Sequence, residues 1–458
     1  MSDLRSLAQT ARYLSREECE AIARKALGFV TTTDGARVSI SSASQGNTRF
    51  AVNQVSTGGD SYDTSVTVIA HAGRRSGSSS TNQLDDESLK QAVETAERIA
   101  RLAPEDPEFM PELGPQQYQP GRNWSDATAS LDPRGRAEAV RAITAPASSA
   151  KLVSTGFLEA RAGANAVANT NGLFAYTRSS ATALTTTVRT PDGTGSGWAG
   201  ASHYDWSRID PAALGARAAE KARASRNPVA VEPGRYTVVF EPTAVGNLIQ
   251  FIGRALNARA ADEGRSFFSK QGGGNKIGSK VVDERVTIVS DPYDPDVAGS
   301  PFDNEGLPTR RSTWIENGVV TTLDYDRYWA QKQGVAPTAS GGSLKMSGGS
   351  SSLDEMIAST PRGLLVTRFW YLRPVDQRTI LYTGLTRDGT FLIESGKITR
   401  AVKNLRFNDS PVFMLNNLEA LGTPVRVSAS EDGGPGQAIM VPPLKVRDFN
   451  FTSLSDAV

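Results

Sequence analysis

Chemistry at neutral pH most often draws on histidine, a reactive thiol or a metal held by clustered ligands. This chain is short of all three. Its two histidines, His71 and His203, lie too far apart in sequence to bind zinc from adjacent turns of one helix. A zinc site gathered in space from these histidines and carboxylates is disfavoured, because zinc prefers clustered nitrogen and sulfur ligands. The one cysteine, Cys19, excludes an internal disulfide. It falls on the apolar stripe of an expected helix, so a core role is expected for it rather than reactivity.

Three short patterns invite a chemical reading. Gly195-Ser-Gly197-Trp-Ala-Gly200 has dinucleotide-site spacing, but His203-Tyr-Asp-Trp follows where a helix N-terminus would have to meet a pyrophosphate. A glycine-rich loop is expected there. Asp294-x-Asp296-x-Ala298-Gly299, with Glu305 at the twelfth position, approaches a calcium loop, yet alanine occupies the fifth position and the entering segment reads as a strand. It is expected to be an acidic surface loop without calcium. Ser148-x-x-Lys151 spaces a serine and a lysine as in some hydrolases but stands alone, and a helix terminus is the simpler reading. The segment Val238-Val-Phe-Glu-Pro-Thr-Ala-Val-Gly-Asn247 is a strand running into a helix. Pro242 suits the first helical turn, and Thr243 and Asn247 share one face four residues apart. Taken alone, that face offers neither a metal ligand nor a strong base.

The elements that must position these residues are legible in outline. Ser15 and Glu18 form a capping box for a helix over 15–28, ended at Gly28. Alternation predicts strands at 37–42, 49–55 and 65–72. An amphipathic helix is expected over 86–102, with Leu89, Val93, Ala96 and Ile99 inward. Asp132-Pro133 and Asp210-Pro211 each read as an N-cap followed by proline at the first helical position. Short strands fill 152–189, with a turn at Thr170-Asn171-Gly172, and prolines at 228 and 233 mark a linker. Beyond it one helix is expected over 243–261. Strands follow at 235–240, 285–290, 312–325, 364–372, 379–385, 390–403 and 425–430, with hairpin turns at Asn317-Gly318 and Asp388-Gly389. Arg368 interrupts one of the most apolar runs, Gly363–Leu372. The expectation is an α+β protein: a mixed α/β domain over 1–230 and a β-rich, barrel-like domain over 231–458.

Composition narrows the function classes. Fifty basic against 49 acidic residues leave a net charge of +1 in 458 residues, which is too balanced for electrostatic nucleic-acid binding. No apolar run approaches a membrane span. Met1-Ser-Asp-Leu-Arg5 lacks the apolar core of a secretory signal, so a cytoplasmic protein is expected, contacting neither nucleic acid nor membrane.

Several blocks together resemble the TldD/TldE (PmbA) family of metalloproteases and peptide-maturation proteins. They are Asn47-Thr-Arg-Phe50, Pro242-Thr-Ala-Val-Gly-Asn247, Ser300-Pro-Phe-Asp-Asn-Glu-Gly-Leu-Pro-Thr309 and Trp314-Ile-Glu-Asn-Gly318. The third is similar to the family's F-D-x-E-G-x-P-T segment. The family's active member carries H-E-A-V-G-H where this chain has Pro242, Thr243 and Asn247 at the functional positions. A further family cysteine ligand corresponds to Asp432 in Asp432-Gly-Gly-Pro-Gly-Gln437. The resemblance therefore implies a metal-free, TldE-type subunit with no catalytic or metal-binding residue of its own. Zinc is then expected in a TldD-type catalytic partner, and the substrate is expected to be an unstructured or leader peptide. Asp303, Glu305, Gly306 and Thr309 are the candidate partner- or peptide-contacting loop. Alternatives are a self-associating peptide-binding scaffold without a protease partner, or an enzyme with an unfamiliar site of Asp, Glu, Ser and Lys.

Overall fold

The computed structural model describes residues 13–435 and 438–455. Met1–Arg5, and Gly436 and Gln437 of the glycine-rich turn, lie outside the described residues. The first sheet grows from a long antiparallel hairpin, β1 (Gly35–Ala51) with β2 (Gln54–Ala72). β3 (Arg75–Thr81), β4 (Val153–Asn169), β5 (Phe174–Arg189) and β6 (Ser196–His203) complete the order β3-β2-β1-β4-β5-β6. The break expected after Ser42 does not occur. Ala43–Thr48 pair with β2 on one side and β4 on the other, and this two-sided pairing holds small polar residues in a strand. The turn falls instead at Val52-Asn53, at φ 49° and 63°, the left-handed backbone of a tight hairpin.

Side chains alternate across this sheet. Ala36, Val38, Ile40 and Phe50 of β1 are buried on one face, which the helices cover. α1 (Arg16–Gly28), with its capping box, and α2 (Asp86–Leu102) pack at one end. A short turn of helix, α3 (Asp126–Ala129), precedes α4 (Pro133–Ser149) and α5 (Pro211–Ala224), which pack at the other. Cys19 is a core residue whose thiol burial pushes up to about 12. Ile99, expected inward, is 41% exposed, and Ala100 takes its place in the stripe. Gly77 of β3 brings the strand so close that a β-carbon there would lie 2.2 Å from the Ala96 carbonyl oxygen. That contact leaves Ile99 at the side of the helix. The expected loop around Gly195–Gly200 is also corrected: most of it is strand β6. A β-carbon on Gly197 would lie 2.2 Å from the Ala218 carbonyl oxygen, so these glycines let α5 rest on the strand backbone.

The later strands form two further sheets. β7 (Gly234–Phe240) is central to a nine-stranded one. On one side of β7, in order, lie Arg362–Val366, Thr390–Glu394 and Lys397–Ala401; on the other lie Leu444–Leu454, Leu405–Asp409, Leu381–Thr386 and Phe369–Asp376. The other is a six-stranded sheet ending in Ala438–Val441 and Val425–Ser428. Neither sheet closes into a barrel, contrary to expectation, because the end strands of each order do not pair with one another. Asp388-Gly389 is no hairpin turn either: the strands it joins lie in separate parts of the sheet, so it is a crossover bend. Asn317-Gly318 does close a hairpin, at φ 49° and 79°.

α6 (Pro242–Ala255) follows β7 and buries Ala244–Ile249, Phe251 and Ile252. This all-round burial is what a helix held between two sheets requires. A β-carbon on Gly246 would lie 2.8 Å from Val427 of the six-stranded sheet. The long helix expected here breaks after Ala255, because Asn257 bridges to Asp324 and caps a new helix at Ala258–Asp262. Phe240, Phe369, Phe407, Phe449 and Phe451 form a connected aromatic core beneath α6, with ring centroids 4.6–5.9 Å apart. Among the described residues no helix is long and apolar enough to cross a membrane.

Candidate functional site

The strand-to-helix junction is a joint in which Glu241 and Asn247 are already engaged. Glu241 stands at the N-cap of α6, and its carboxylate lies 2.6 Å from Lys221 of α5. Pro242 occupies the first turn, where the absent N–H costs nothing. Thr243 is half-buried on the face it shares with Asn247. Asn247 is 1% exposed. Its amide nitrogen donates to the Ala429 carbonyl at 3.0 Å, and its oxygen accepts from the Phe369 N–H at 3.1 Å. One amide thus ties α6 to both sheets. Gln250, one turn on, donates to the same Ala429 carbonyl at 2.5 Å and accepts from Arg254 at 2.7 Å.

Ala429 leads into the turn that carries Asp432, so the fold brings the two parts of the expected motif beside each other. The Asp432 side chain turns away, accepting from the Ser430 hydroxyl and, at 3.1 Å, from the Gly434 N–H. The Ser430 bond above all holds its carboxyl below the usual range. Gly433, at φ 76°, presses on the first sheet, where a β-carbon would lie 2.8 Å from Trp198 and 2.6 Å from Thr185. The neighbouring carboxylate of Glu431 accepts from the Tyr371 and Leu372 N–H groups at 2.5 and 3.1 Å.

Between this turn and the first sheet lies a groove of about 560 Å³ whose lining includes Arg49, Phe157, Trp198, Arg368, Trp370 and Asp432. Arg368 is 4% exposed and lies between two indoles, 4.3 Å from the ring of Trp198 and 5.4 Å from that of Trp370. It donates to the Glu431 carbonyl and lies 3.4 Å from Asp388. Burial lowers its guanidinium to about 10. The interruption of an apolar run was the sequence signal for this residue. Here it splits one expected strand into two, at Val366 and Phe369.

The block 300–309 is a separate cluster. Asp303 is turned into its own loop, accepting from the Glu305 and Leu307 N–H groups at 2.9 Å each. Glu305 pairs with Arg327 at 2.6 Å, and the Gly306 carbonyl accepts from Tyr118 at 2.7 Å. Gly306, at φ 84°, lets Leu173 approach where a β-carbon would meet it at 2.9 Å. Thr309 is buried and donates to the Ser300 carbonyl at 2.5 Å. Phe302 packs into Val167, Leu173 and Ala175 of the first sheet. These side chains clamp the two halves of the chain together. The calcium-like positions are also engaged, Asp294 by Lys345 at 2.7 Å and Glu305 by Arg327.

The histidines stay apart. His71 sits between Ser76 at 2.9 Å and Glu112 at 2.8 Å, with Arg37 on the same carboxylate at 3.2 Å. His203, at the end of β6, accepts on Nδ1 from the Asp205 N–H at 2.9 Å, which leaves the proton on Nε2. Burial first, then Arg426, lowers its pKa to about 4. It lines a cavity of about 620 Å³, which lies where β5 and β6 face α6 and the six-stranded sheet.

Comparison with known proteins decides the family. Models described as PmbA/TldA metallopeptidase domain 1, central domain and C-terminal domain match residues 36–100, 126–226 and 233–453. The chain belongs to the PmbA/TldD metallopeptidase family. Relatives include a protein named Metalloprotease from Methanothermobacter thermautotrophicus, 27% identical over 53% of this chain and 55% of that one. Metalloprotease TldD homolog of Buchnera aphidicola is 28% identical over 48% of each chain. The chain spans about half the length of these curated relatives. The crystal structure of TldE from Thermococcus kodakarensis shares the fold, with a TM-score of 0.81 at 19% identity over 95% of this chain and 100% of that one.

Within this PmbA/TldD framework the donor set at the α6 junction does not suit zinc. Pro242 has no side-chain donor, both ends of the Asn247 amide are spent inside the core, and Asp432 is held by its own turn. Among the described residues no group of three or more His, Cys, Asp or Glu side chains is arranged to hold a metal. Thr243 lacks the basicity to take a proton from water. Sequence reasoning named the junction residues but missed Trp198, Trp370, Ser202 and Arg426. Nothing local distinguishes those four, because their setting is made by contacts between the two halves.

Proposed function

We propose that this chain is the metal-free, TldE-like subunit of a cytoplasmic peptidase complex. In that complex a TldD-type partner supplies zinc, and the substrate is an unstructured or leader peptide. The observation that carries the reading is Asn247: where a metal ligand would stand, an amide is built into the core as a crosslink between α6 and two sheets. Membership of a metallopeptidase family and the fold shared with a TldE support it further. On this reading the chain contributes position rather than acid–base chemistry. It helps enclose a chamber and holds an extended peptide over the partner's metal.

The test is reconstitution with a TldD-type catalytic protein, assayed on an unstructured peptide. The mixture should cleave faster than the partner alone, and Thr243→Ala and Asp432→Ala should leave turnover within a few-fold. Elemental analysis of this chain alone should find no stoichiometric zinc. The triple change Pro242→His, Thr243→Glu, Asn247→His should not yield a chelator-sensitive protease, because the bonds that orient metal ligands would be missing. A partner equally active alone, or zinc bound to this chain and lost on Asp432→Ala, would refute the proposal.

A further inference from the structure

The 620 Å³ cavity holds polar groups that no described residue satisfies. Ser202, at the end of β6, is 5% exposed, and among the described residues its hydroxyl has no hydrogen-bond partner. Asn123, on the same lining, has a buried side-chain oxygen that is likewise unpartnered. Natural proteins rarely leave such atoms orphaned unless something else satisfies them.

Arg426 stands beside them. Its Nε donates to the Ser202 carbonyl at 2.8 Å and its Nη1 to the Asp296 carbonyl. Both acceptors are neutral. The Asp296 carboxylate lies instead toward Lys345, at 3.8 Å. Among the described residues Arg426 makes no direct ion pair; Tyr204 and the Asp296 carboxylate act on it only from a distance, and burial lowers its guanidinium to about 10. His203 adds the N–H of its Nε2, since its other nitrogen is fixed by the Asp205 N–H.

We infer that this cavity is a carboxylate-binding site in which Arg426, the Ser202 hydroxyl and the His203 Nε2–H hold a peptide carboxylate, with Asn123 accepting from the adjoining peptide N–H. Of the two guanidiniums on the lining Arg254 donates to Gln250 at 2.7 Å, which leaves Arg426 with one hydroxyl and one neutral imidazole N–H, a set matched to a single negative charge. Asp324 lines the same cavity and opposes a dianion such as phosphate. A guanidinium and a carboxylate are also well matched in geometry. The volume accommodates a short stretch of extended chain, and Gln250 and Arg254 of α6 line it as well. The carboxylate has two sources, a peptide C-terminus or an acidic side chain. The choice of a peptide rests on the proposed function. The site is tested without the partner, so failed reconstitution would leave it standing.

The experiment titrates the isolated full chain with three N-acetylated hexapeptides of Ala, Gly and Ser, followed calorimetrically. One has a free C-terminal carboxylate, one is amidated, and one is amidated with a single internal Glu. At least one carboxylate peptide should bind about tenfold or more tightly than the neutral one, and which of them does so identifies the source. Arg426→Met should abolish the preference. Ser202→Ala, which removes only the orphan hydroxyl, should weaken carboxylate binding about threefold or more while circular dichroism and melting stay unchanged. Equal binding of all three peptides, or no binding, overturns the inference. So does a folded Arg426→Met chain that keeps the preference. If that variant does not fold, an unaltered preference and affinity in Ser202→Ala overturns it.

Discussion

The start of α6 and the cavity further along the same helix are both polar sites between the two halves of the chain, yet one is closed and the other is not. At the start of α6, Asn247 and Gln250 spend their amides on Phe369 and Ala429. Around the cavity, Ser202 and Asn123 keep unpartnered atoms, and Arg426 donates only to carbonyls. Burying polar groups is costly unless they are satisfied. The closed site therefore behaves as architecture, and the open one as a place prepared for something else.

Stability measurements can break that comparison. The largest loss is expected for Arg368→Met, about 3–5 kcal/mol by urea unfolding, because the buried Asp388 loses its buried guanidinium partner and keeps only Arg387, at 3.9 Å. Asn247→Ala should cost about 2–3 kcal/mol, since the Phe369 N–H loses its acceptor in the core. If Asn247→Ala kept the parent's stability, the junction would not be the joint described above.

Asp324 sharpens the contrast by its pH dependence. Burial, with Asp326 and Asp303 nearby, raises its carboxyl to about 6 from the usual 3.8. Between those values the folded chain holds a proton that the unfolded chain has released. The contribution of Asp324 to stability is thus full below the lower value, falls as pH rises through the interval, and is lost above about 6. Asp324→Asn should match the parent near pH 4 and exceed it by about 1–2 kcal/mol at pH 7.5, in unfolding curves taken at both pH values. A variant less stable than the parent at pH 7.5 would show that the charge is compensated in the cavity.

Ser202→Ala is expected to change stability by less than about 0.5 kcal/mol, the reverse of Asn247→Ala, because no bond is lost. The smallest effect belongs to calcium. Asp294 and Glu305 already hold Lys345 and Arg327, so added calcium should leave the melting temperature unmoved. A rise abolished by Glu305→Gln would overturn that reading.

The sequence by itself determined the local elements whose causes lie within a few residues. Ser15 with Glu18, Asp132-Pro133 and Asp210-Pro211 start helices where expected, and Asn317-Gly318 turns a hairpin. It also determined which side chains stand at the α6 junction, since no folding can give Pro242 an imidazole or Thr243 a carboxylate. Pairing on both sides decided that Ala43–Thr48 is strand, and packing against β3 decided that Ile99 faces outward. Only the tertiary structure made Asn247 a crosslink, to residues 122 and 182 positions away. Only it set Arg368 between Trp198 and Trp370, and Arg426 against Ser202, 224 positions distant. The physical reason is range. Capping and turn preferences act through neighbouring backbone, whereas burial, desolvation and the partner of a polar group depend on which distant surfaces the whole fold brings together.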